Sequence, residues 1–487
     1  MNRIISAAVV VVGAGPAGLA AAAAAADRGA SVVVIDSGGQ PGGQYWRHRS
    51  ERTFPDSDGA GHHGWKTYRG LRRRFDAAVA DGRLRYFPGQ QVWMAQQAED
   101  GFVLRTSPAV DSGAQGITVS ALKLVLCTGG YDRQLPVPGW DLPGVMAAGG
   151  IQGFIKANGM LPGKRFVIAG TGPFLLSVAA GIAEAGGKVL GVYDSAALTN
   201  WVPHLHAAAL VPEKALEGAE YAGVFARHRI PYRTRTVVTE VLGADCVEGV
   251  RTAKVDNRGR IRHGTERTIR GVDTVGFGWG FTPQLELPAA LGVQTSVDTD
   301  GSLVGTVNDR QESSVPGLFL AGEITGVGGA ALSVLEGDTA GTAAALSLAG
   351  TPVPPRRDRK NAYRRFAAAM HAAHPVPAVW LQWQRQDTLL CRCEEVTVGE
   401  AQHALDTLEA SDSRTLKSLT RTGMGWCQGR VCGFAASCLT AGQNAAPSEV
   451  SLASTAKRPL ASPVSIGNLA ALTGPIDPPP SRTESPA

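Results

Sequence analysis

Cys391 and Cys393 form a C-x-C pair, and after 33 intervening residues Cys427 and Cys432 form a C-x4-C pair. Thiolates are soft ligands, so four of them brought together suit either zinc or an iron-sulfur cluster, and ligand chemistry alone does not separate the two. Five of the seven cysteines fall in the last hundred residues, which argues for a metal centre rather than a disulfide framework. Cys438 lies beyond the motif and reads as a core residue. Cys127 and Cys246 are isolated, so the dithiol chemistry of a CxxC pair is not expected, and each reads as a small buried apolar side chain. His204 and His206 have a metal-like spacing in WVPHLHAAAL, but without a third placed ligand they read as packing or surface residues.

A second kind of chemistry is written near the start. The apolar run of residues 7–12 (AAVVVV) leads into Gly13-Ala14-Gly15-Pro16-Ala17-Gly18, an alanine-rich helical stretch, and a second strand from Ser31 to Ile35 that ends in Asp36. This is a βαβ dinucleotide unit. Gly13 permits the tight turn, Gly15 lets the backbone approach a pyrophosphate, and Gly18 lets helix and strand pack closely. Asp36 is placed to take ribose hydroxyls.

The pattern returns once. Arg165 to Ala169 leads into Gly170-Thr171-Gly172-Pro173, a helix through Glu184, and a strand from Lys188 to Tyr193 ending in Asp194. Here the third glycine position is Leu175. The second unit therefore either holds a second nucleotide at Gly170 to Gly172 or keeps the fold without a ligand. If it binds a dinucleotide, Asp194 without a nearby following Arg favours a 2′-hydroxyl over a 2′-phosphate.

The elements that must position these groups fit an α/β protein. A chain of 487 residues with 44% hydrophobic content suits about three folding units. The formal charge of +5 comes from 47 basic and 42 acidic residues that are mostly interspersed, so nucleic-acid binding is not expected. The basic runs Arg72 to Arg74 and Arg356 to Lys360 read as solvated surface. Glycines and a proline interrupt the apolar start, and no stretch approaches the roughly 20 apolar residues of a membrane span, so a cytoplasmic protein with no integral membrane segment is expected.

With both glycine units in view, the chain resembles the two-dinucleotide-domain FAD oxidoreductases, the group that includes thioredoxin reductase and glutathione reductase. Cys127-Thr128-Gly129-Gly130 is similar to that family's turn at the return from the FAD domain, and Val315 to Glu323 (VPGLFLAGE) looks like its second FAD motif. Gly38 to Gln44 (GGQPGGQ) matches the loop beneath the flavin. The resemblance implies FAD contacts from Gly13, Gly15, Pro16, Ala17, Gly18, Asp36, Gly43, Gln44, Val92, Thr128, Gly129, Gly322 and Glu323. Glu323 stands where an Asp is more common in that family.

The string GMGWCQGRVCG resembles the bacterioferritin-associated-ferredoxin type of 2Fe-2S domain, which implies Cys391, Cys393, Cys427 and Cys432 as cluster ligands. The whole combination, with GYDRQLPVPGWDLPGVMAAGG from Gly130 and GEITGVGGAALSVLEG from Gly322, resembles the large FAD subunits of heteromeric amino-acid and opine dehydrogenases. That group includes opine oxidase, hydrogen cyanide synthase, and D-hydroxyproline or L-proline dehydrogenase. The partner it implies is a smaller FAD-containing catalytic subunit, with a further small subunit in some assemblies.

The expected fold class is α/β, with two Rossmann-like FAD/NAD(P)-type domains and a small helical C-terminal 2Fe-2S domain. An FAD domain made of residues 1–155 and 270–345 would be interrupted by a second nucleotide fold at 160–268. A connector at 346–388 would lead to the cluster domain at 389–442 and an extended tail at 443–487. Three functions stay open: an electron-transfer subunit of a heteromeric dehydrogenase, a self-sufficient NAD(P)H-dependent reductase feeding the cluster, and a non-catalytic scaffold. No constellation of residues for C–N oxidation stands out, so no catalytic residue is assigned.

Overall fold

The computed structural model describes residues 4–55, 59, 61–110, 115–351, 358–442, 446–456, 458 and 460–470. The valine run becomes the centre of a seven-stranded sheet. Strand β1 (Ile4–Val12) lies parallel between β2 (Val32–Asp36) and β6 (Thr118–Leu126). Val9, Val10 and Val11 are fully buried, as expected of a parallel strand covered on both faces. Beyond β2 lies β3 (Leu84–Pro88), and beyond β6 run the antiparallel β5 (Gly101–Pro108) and β4 (Gln90–Ala98). The late strand Leu318–Leu320 returns to pair with β6, so this sheet is built from both ends of the nucleotide-binding region.

Helix α1 (Pro16–Ala26) has Pro16 in its first turn, where a missing N–H costs nothing, and every residue from Ala17 to Ala26 is buried. Its alanine composition has a packing cause. The long helix Ala330–Leu348 crosses so near that a Cβ on Gly337 or Gly341 would overlap the carbonyls of Ala17 and Ala21. Only small residues on both helices permit that approach.

The second sheet is wholly parallel, in the order Tyr232–Thr234, Lys188–Asp194, Arg165–Gly170, Thr274–Gly278 and Val145–Ala147. Its core continues into the C-terminal region. Trp140, Trp279, Trp380 and Trp383 are buried in one cluster with Leu390, Leu416 and Leu439, and Trp140 Nε1 donates to the Leu389 carbonyl at 2.8 Å. The cysteine-bearing segment therefore shares apolar packing with the second nucleotide fold instead of hanging from a linker.

That segment begins with strand Leu389–Cys391, paired to Val396–Thr397. Helix Val398–Asp406 follows, started by a capping box between Thr397 and Glu400, and then helix Ser413–Thr420, capped by Asp412. Both helices lie in the spacer between the cysteine pairs. The expected extended tail is corrected in part. Residues Glu449–Ala456 and Ile466–Ala470 are helical, the first begun by the Ser448 hydroxyl and anchored by buried Leu452. Residues 471–487 lie outside the described residues, as does the Arg356 end of one basic run. Among the described residues no helix is long and apolar enough to cross a membrane.

Candidate functional site

The end of β1 and the start of α1 meet at a cavity lined by Val12, Gly13, Asp36, Gln90, Val92, Thr128, Gln284, Glu286 and Ala461. Gly13 has φ +99°, and a Cβ there would fall on the Cys127 carbonyl; a Cβ on Gly18 would fall on the Gly13 carbonyl. These two close approaches fix the turn, so the first amides of α1 are left for an anion. Gly43 packs against Gly15, which brings the Gly38–Gln44 loop onto the same turn, with the Gln44 side chain exposed. Thr128 Oγ1 donates to the Gln284 carbonyl at 2.8 Å, and Gln284 N donates to Gly129 O at 2.9 Å.

Asp36 stands at the end of β2, where its carboxylate accepts from Ala14 N at 3.2 Å and Gly38 N at 3.1 Å. Burial still dominates, raising its pKa from 3.8 to about 6. Glu323 follows the strand Leu318–Leu320 and opens a short 3-10 turn. Its Oε1 accepts from Gly329 N at 3.0 Å, while Oε2 is buried without a partner. Burial pushes this carboxyl up to about 7. Gly322 N is held by Glu336, so the preceding turn is fixed. An amide-lined helix start, a ribose-height acid and an orphaned carboxylate oxygen fit the donors and acceptors of a flavin dinucleotide. Sequence reading missed Gln284, Glu286 and Ala461. A lone Glu within the apolar LELPAALG was the one signal available for Glu286.

The four cysteines converge as two pairs. Buried Cys391 and Cys432 are neighbours, exposed Cys393 and half-buried Cys427 are neighbours, and Cys432 also feels the charge of Cys393 and Cys427. The Cys391 sulfur also accepts from the backbone of Gly423, Glu394 and Cys393, and with Cys432 these donors bring its pKa down to about 5. Burial and the neighbouring thiols push Cys432 the other way. Tight backbone packing joins the two cysteine segments, because a Cβ on Gly425 would overlap that of Cys393, and Arg421 Nε donates to Glu394 at 2.7 Å. Glu395, Arg421 and Gln428 adopt left-handed φ of 54°, 66° and 53°, each costing on the order of 1–3 kcal/mol, a strain that gathers at functional loops.

Among the described residues no three or more His, Cys, Asp or Glu side chains gather as a holder for one metal ion. Cys438 lies in the apolar core, as expected, and Cys127 is buried. Cys246 is exposed, contrary to expectation, because it sits in the turn between strands Thr236–Leu242 and Gly249–Lys254. His204 is half-buried and His206 exposed.

The second nucleotide fold is built as the sequence suggests, but its acid is already occupied. Asp194, 1% exposed, accepts from Tyr232 Oη at 2.8 Å and Ala196 N at 2.9 Å, and His374 Nδ1 stands 3.5 Å away. Trp201 Nε1 donates to His374 Nε2 at 3.0 Å, so in that arrangement the proton of neutral His374 is on Nδ1. Leu175 is wholly buried in the core beneath its helix. Thr171 Oγ1 and Ser195 Oγ, beside the glycine turn, are buried without partners.

Comparison with known proteins agrees with this geometry. The chain is 32% identical to the HcnB subunit of hydrogen cyanide synthase from Pseudomonas aeruginosa, over 87% of this chain and 90% of the relative. It is 31% identical to an opine oxidase subunit of Rhizobium meliloti, over 96% and 99% respectively. Among solved structures, L-proline dehydrogenase from P. horikoshii shares the fold with a TM-score of 0.66 at 18% identity, covering 96% of this chain and 81% of that one. The family model for pyridine nucleotide-disulphide oxidoreductases matches residues 7–349. The chain belongs to the pyridine nucleotide-disulphide oxidoreductase family and is an FAD-dependent oxidoreductase.

Proposed function

We propose that this chain is the FAD- and 2Fe-2S-containing electron-transfer subunit of a heteromeric dehydrogenase or oxidase acting on the C–N bond of an amino acid or opine. Its partner would be a smaller flavoprotein that performs the oxidation. The observation that carries the reading is the convergence of four cysteines with an inner edge, Cys391 and Cys432, and a more exposed edge, Cys393 and Cys427. A two-iron cluster needs two thiolates on each iron, whereas one zinc ion needs all four about a single centre. The names of the relatives, each one component of an oxidase or synthase, support the partner.

FAD exchanges electrons in ones or twos and a 2Fe-2S cluster in ones, so the protein's part is to hold both and to exclude competing reactions. The Gly13–Gly18 turn, Asp36, Thr128 and Glu323 would hold the dinucleotide. The four cysteines would hold the cluster, with the Cys393 and Cys427 edge toward solvent and the Cys391 and Cys432 edge inward. The occupied Asp194 favours the relay over an NAD(P)H-dependent reductase, while the unpartnered Thr171 and Ser195 hydroxyls favour the reductase.

Iron and acid-labile sulfide assays on protein prepared without oxygen, with an EPR spectrum after reduction, test the cluster. Stoichiometric zinc with no labile sulfide would make these cysteines a structural staple. Co-purification of a second flavoprotein tests the partner, and a chain that isolates alone with full dehydrogenase turnover would sink the relay.

A further inference from the structure

Glu286 opens the short helix Glu286–Ala290, is 1% exposed and lines the nucleotide cavity. Among the described residues, every side-chain partner it has is on Oε1. Tyr131 Oη donates at 2.7 Å, Arg458 donates at 2.9 Å, and Arg430 Nε forms an ion pair at 2.9 Å. Among the described residues, Oε2 is buried with no hydrogen-bond partner. An ionised carboxylate has acceptor capacity on both oxygens, and one left unused in a buried site costs free energy unless something donates to it.

The two arginines connect this carboxylate to the cysteines. Arg430 lies inside the C-x4-C loop, where its NH1 donates to Gln428 Oε1 at 2.9 Å and to the Cys427 carbonyl at 3.3 Å. Its NH2 donates to the Ala461 carbonyl at 2.5 Å, and Ala461 N donates to Trp93 O at 2.8 Å beside the cavity-lining Val92. Arg458 also donates to the Gln428 carbonyl. Arg458 and Ala461 are thus tied to the cysteine loop, and Ala461 to β4 as well.

We propose that Glu286 couples the two cofactor sites: Oε2 accepts a hydrogen bond from the adenosine half of the bound dinucleotide, while Oε1 holds the cysteine loop through Arg430 and Arg458. The adenosine half is indicated because Glu286 shares its cavity with Asp36, Gln90 and Val92 rather than with Glu323. The inference rests on FAD occupying this cavity, as proposed above. By linkage, nucleotide binding steadies the cysteine loop, and the loop steadies the nucleotide by the same factor.

The test uses the full chain with FAD bound and after FAD removal. Iodoacetamide labelling of Cys393 and Cys427, read by mass spectrometry, should be slowed about 5-fold or more by FAD in the wild type. E286Q must turn its amide oxygen to the arginines and its NH2 to the cavity, so FAD and ADP should both bind roughly 10-fold or more weakly. The double variant R430Q/R458Q removes both links from Glu286 to the cysteine loop and keeps Glu286 itself, so FAD should still bind while its effect on labelling disappears. Unchanged ADP affinity in E286Q, or undiminished FAD protection in R430Q/R458Q, overturns the proposal. If E286Q does not fold by circular dichroism, R430Q/R458Q alone decides the coupling. Labelling is read on metal-free protein and nucleotide binding does not draw on the thiols, so failure of the iron-sulfur assignment would show separately, as absent labile sulfide.

Discussion

His374 Nδ1 faces Asp194 Oδ2 across 3.5 Å, although 180 residues of chain separate them, and Tyr232 Oη takes the acid that the second dinucleotide fold would offer to a ribose. A nucleotide at Asp194 would compete with the Tyr232 hydrogen bond at the side chain His374 covers. Anaerobic NADH or NADPH should therefore leave the flavin of the purified protein oxidised over minutes. Asp194→Ala should lower thermal stability, by roughly 1–3 kcal/mol for the donors it strands, without creating NADH reactivity. Rapid bleaching of the wild-type flavin at 450 nm would restore the reductase reading.

Asp36 carries a conflict between binding and stability. Its pKa in the fold is raised by burial from 3.8 to about 6, so the folded protein holds the proton more tightly than the unfolded chain. Stability from this group is complete below pH about 4, is lost as pH rises toward 6, and is flat above that. Asp36→Asn removes the loss. Its NH2 must face one of the two backbone donors, Ala14 N or Gly38 N, at every pH, so in FAD-free protein its stability relative to the wild type should be higher at pH 7.5 than at pH 4 by roughly 1–3 kcal/mol. The same variant should bind FAD roughly 10-fold or more weakly, because a charged acceptor for the ribose becomes a neutral one. Denaturant melts at the two pH values and a flavin dilution series check both halves.

What was legible in the sequence was local. The turn from Gly13 to Gly18, the acid at Asp36 and the repeat at Gly170 are each set by contiguous residues whose backbone geometry dictates their type. The four cysteines were legible as a set because thiolates at that spacing have few other uses. Their division into a buried and an exposed pair was not, because it depends on how the hairpin at Cys391 meets the loop at Gly425. Glu286 was hidden for the same reason: its partners come from residues 131, 430 and 458, and no window of sequence contains them. The occupation of Asp194 was equally invisible, since Tyr232 lies on another strand and His374 follows the helix Asp358–Ala373. Cys246 misled because buriedness is the common fate of a lone cysteine, and a turn overrode it.

Trp140 should be a stability joint between the second nucleotide fold and the cysteine segment. Its ring is 2% exposed, its Nε1 donates to Leu389 O two residues before Cys391, and Arg392 lies over its face at 5.2 Å. Trp140→Phe keeps most of the apolar volume but strands a carbonyl, and should cost roughly 1–3 kcal/mol. Trp140→Ala adds a cavity and should cost about 3–5 kcal/mol. In both, iron content should fall more than FAD content, since the strand bearing Cys391 is the element freed. Equal loss of both cofactors at equal melting temperature would place the joint elsewhere.

The two cysteine pairs should respond differently to removal of one sulfur. Cys393 and Cys427 face outward, so Cys427→Ser exchanges a thiol for a hydroxyl that solvent can hydrate. Iron and labile sulfide should disappear, the stability of the metal-free protein should stay within about 0.5 kcal/mol of the metal-free wild type, and most FAD should remain. Cys432 is buried with Cys391 and Val396 at the head of helix Gly433–Ala441. Cys432→Ser should therefore remove iron as well, and in addition lower metal-free stability by roughly 1–3 kcal/mol, because the hydroxyl must find a partner in an apolar pocket. Electron transfer from partner to acceptor should slow in both, as each lacks the relay while keeping the flavin. The discriminating measurement is the metal-free melt of the two variants side by side. If Cys427→Ser destabilises the apoprotein as much as Cys432→Ser, the outer edge of the site is not open, and the inward and outward assignment of the pairs is wrong.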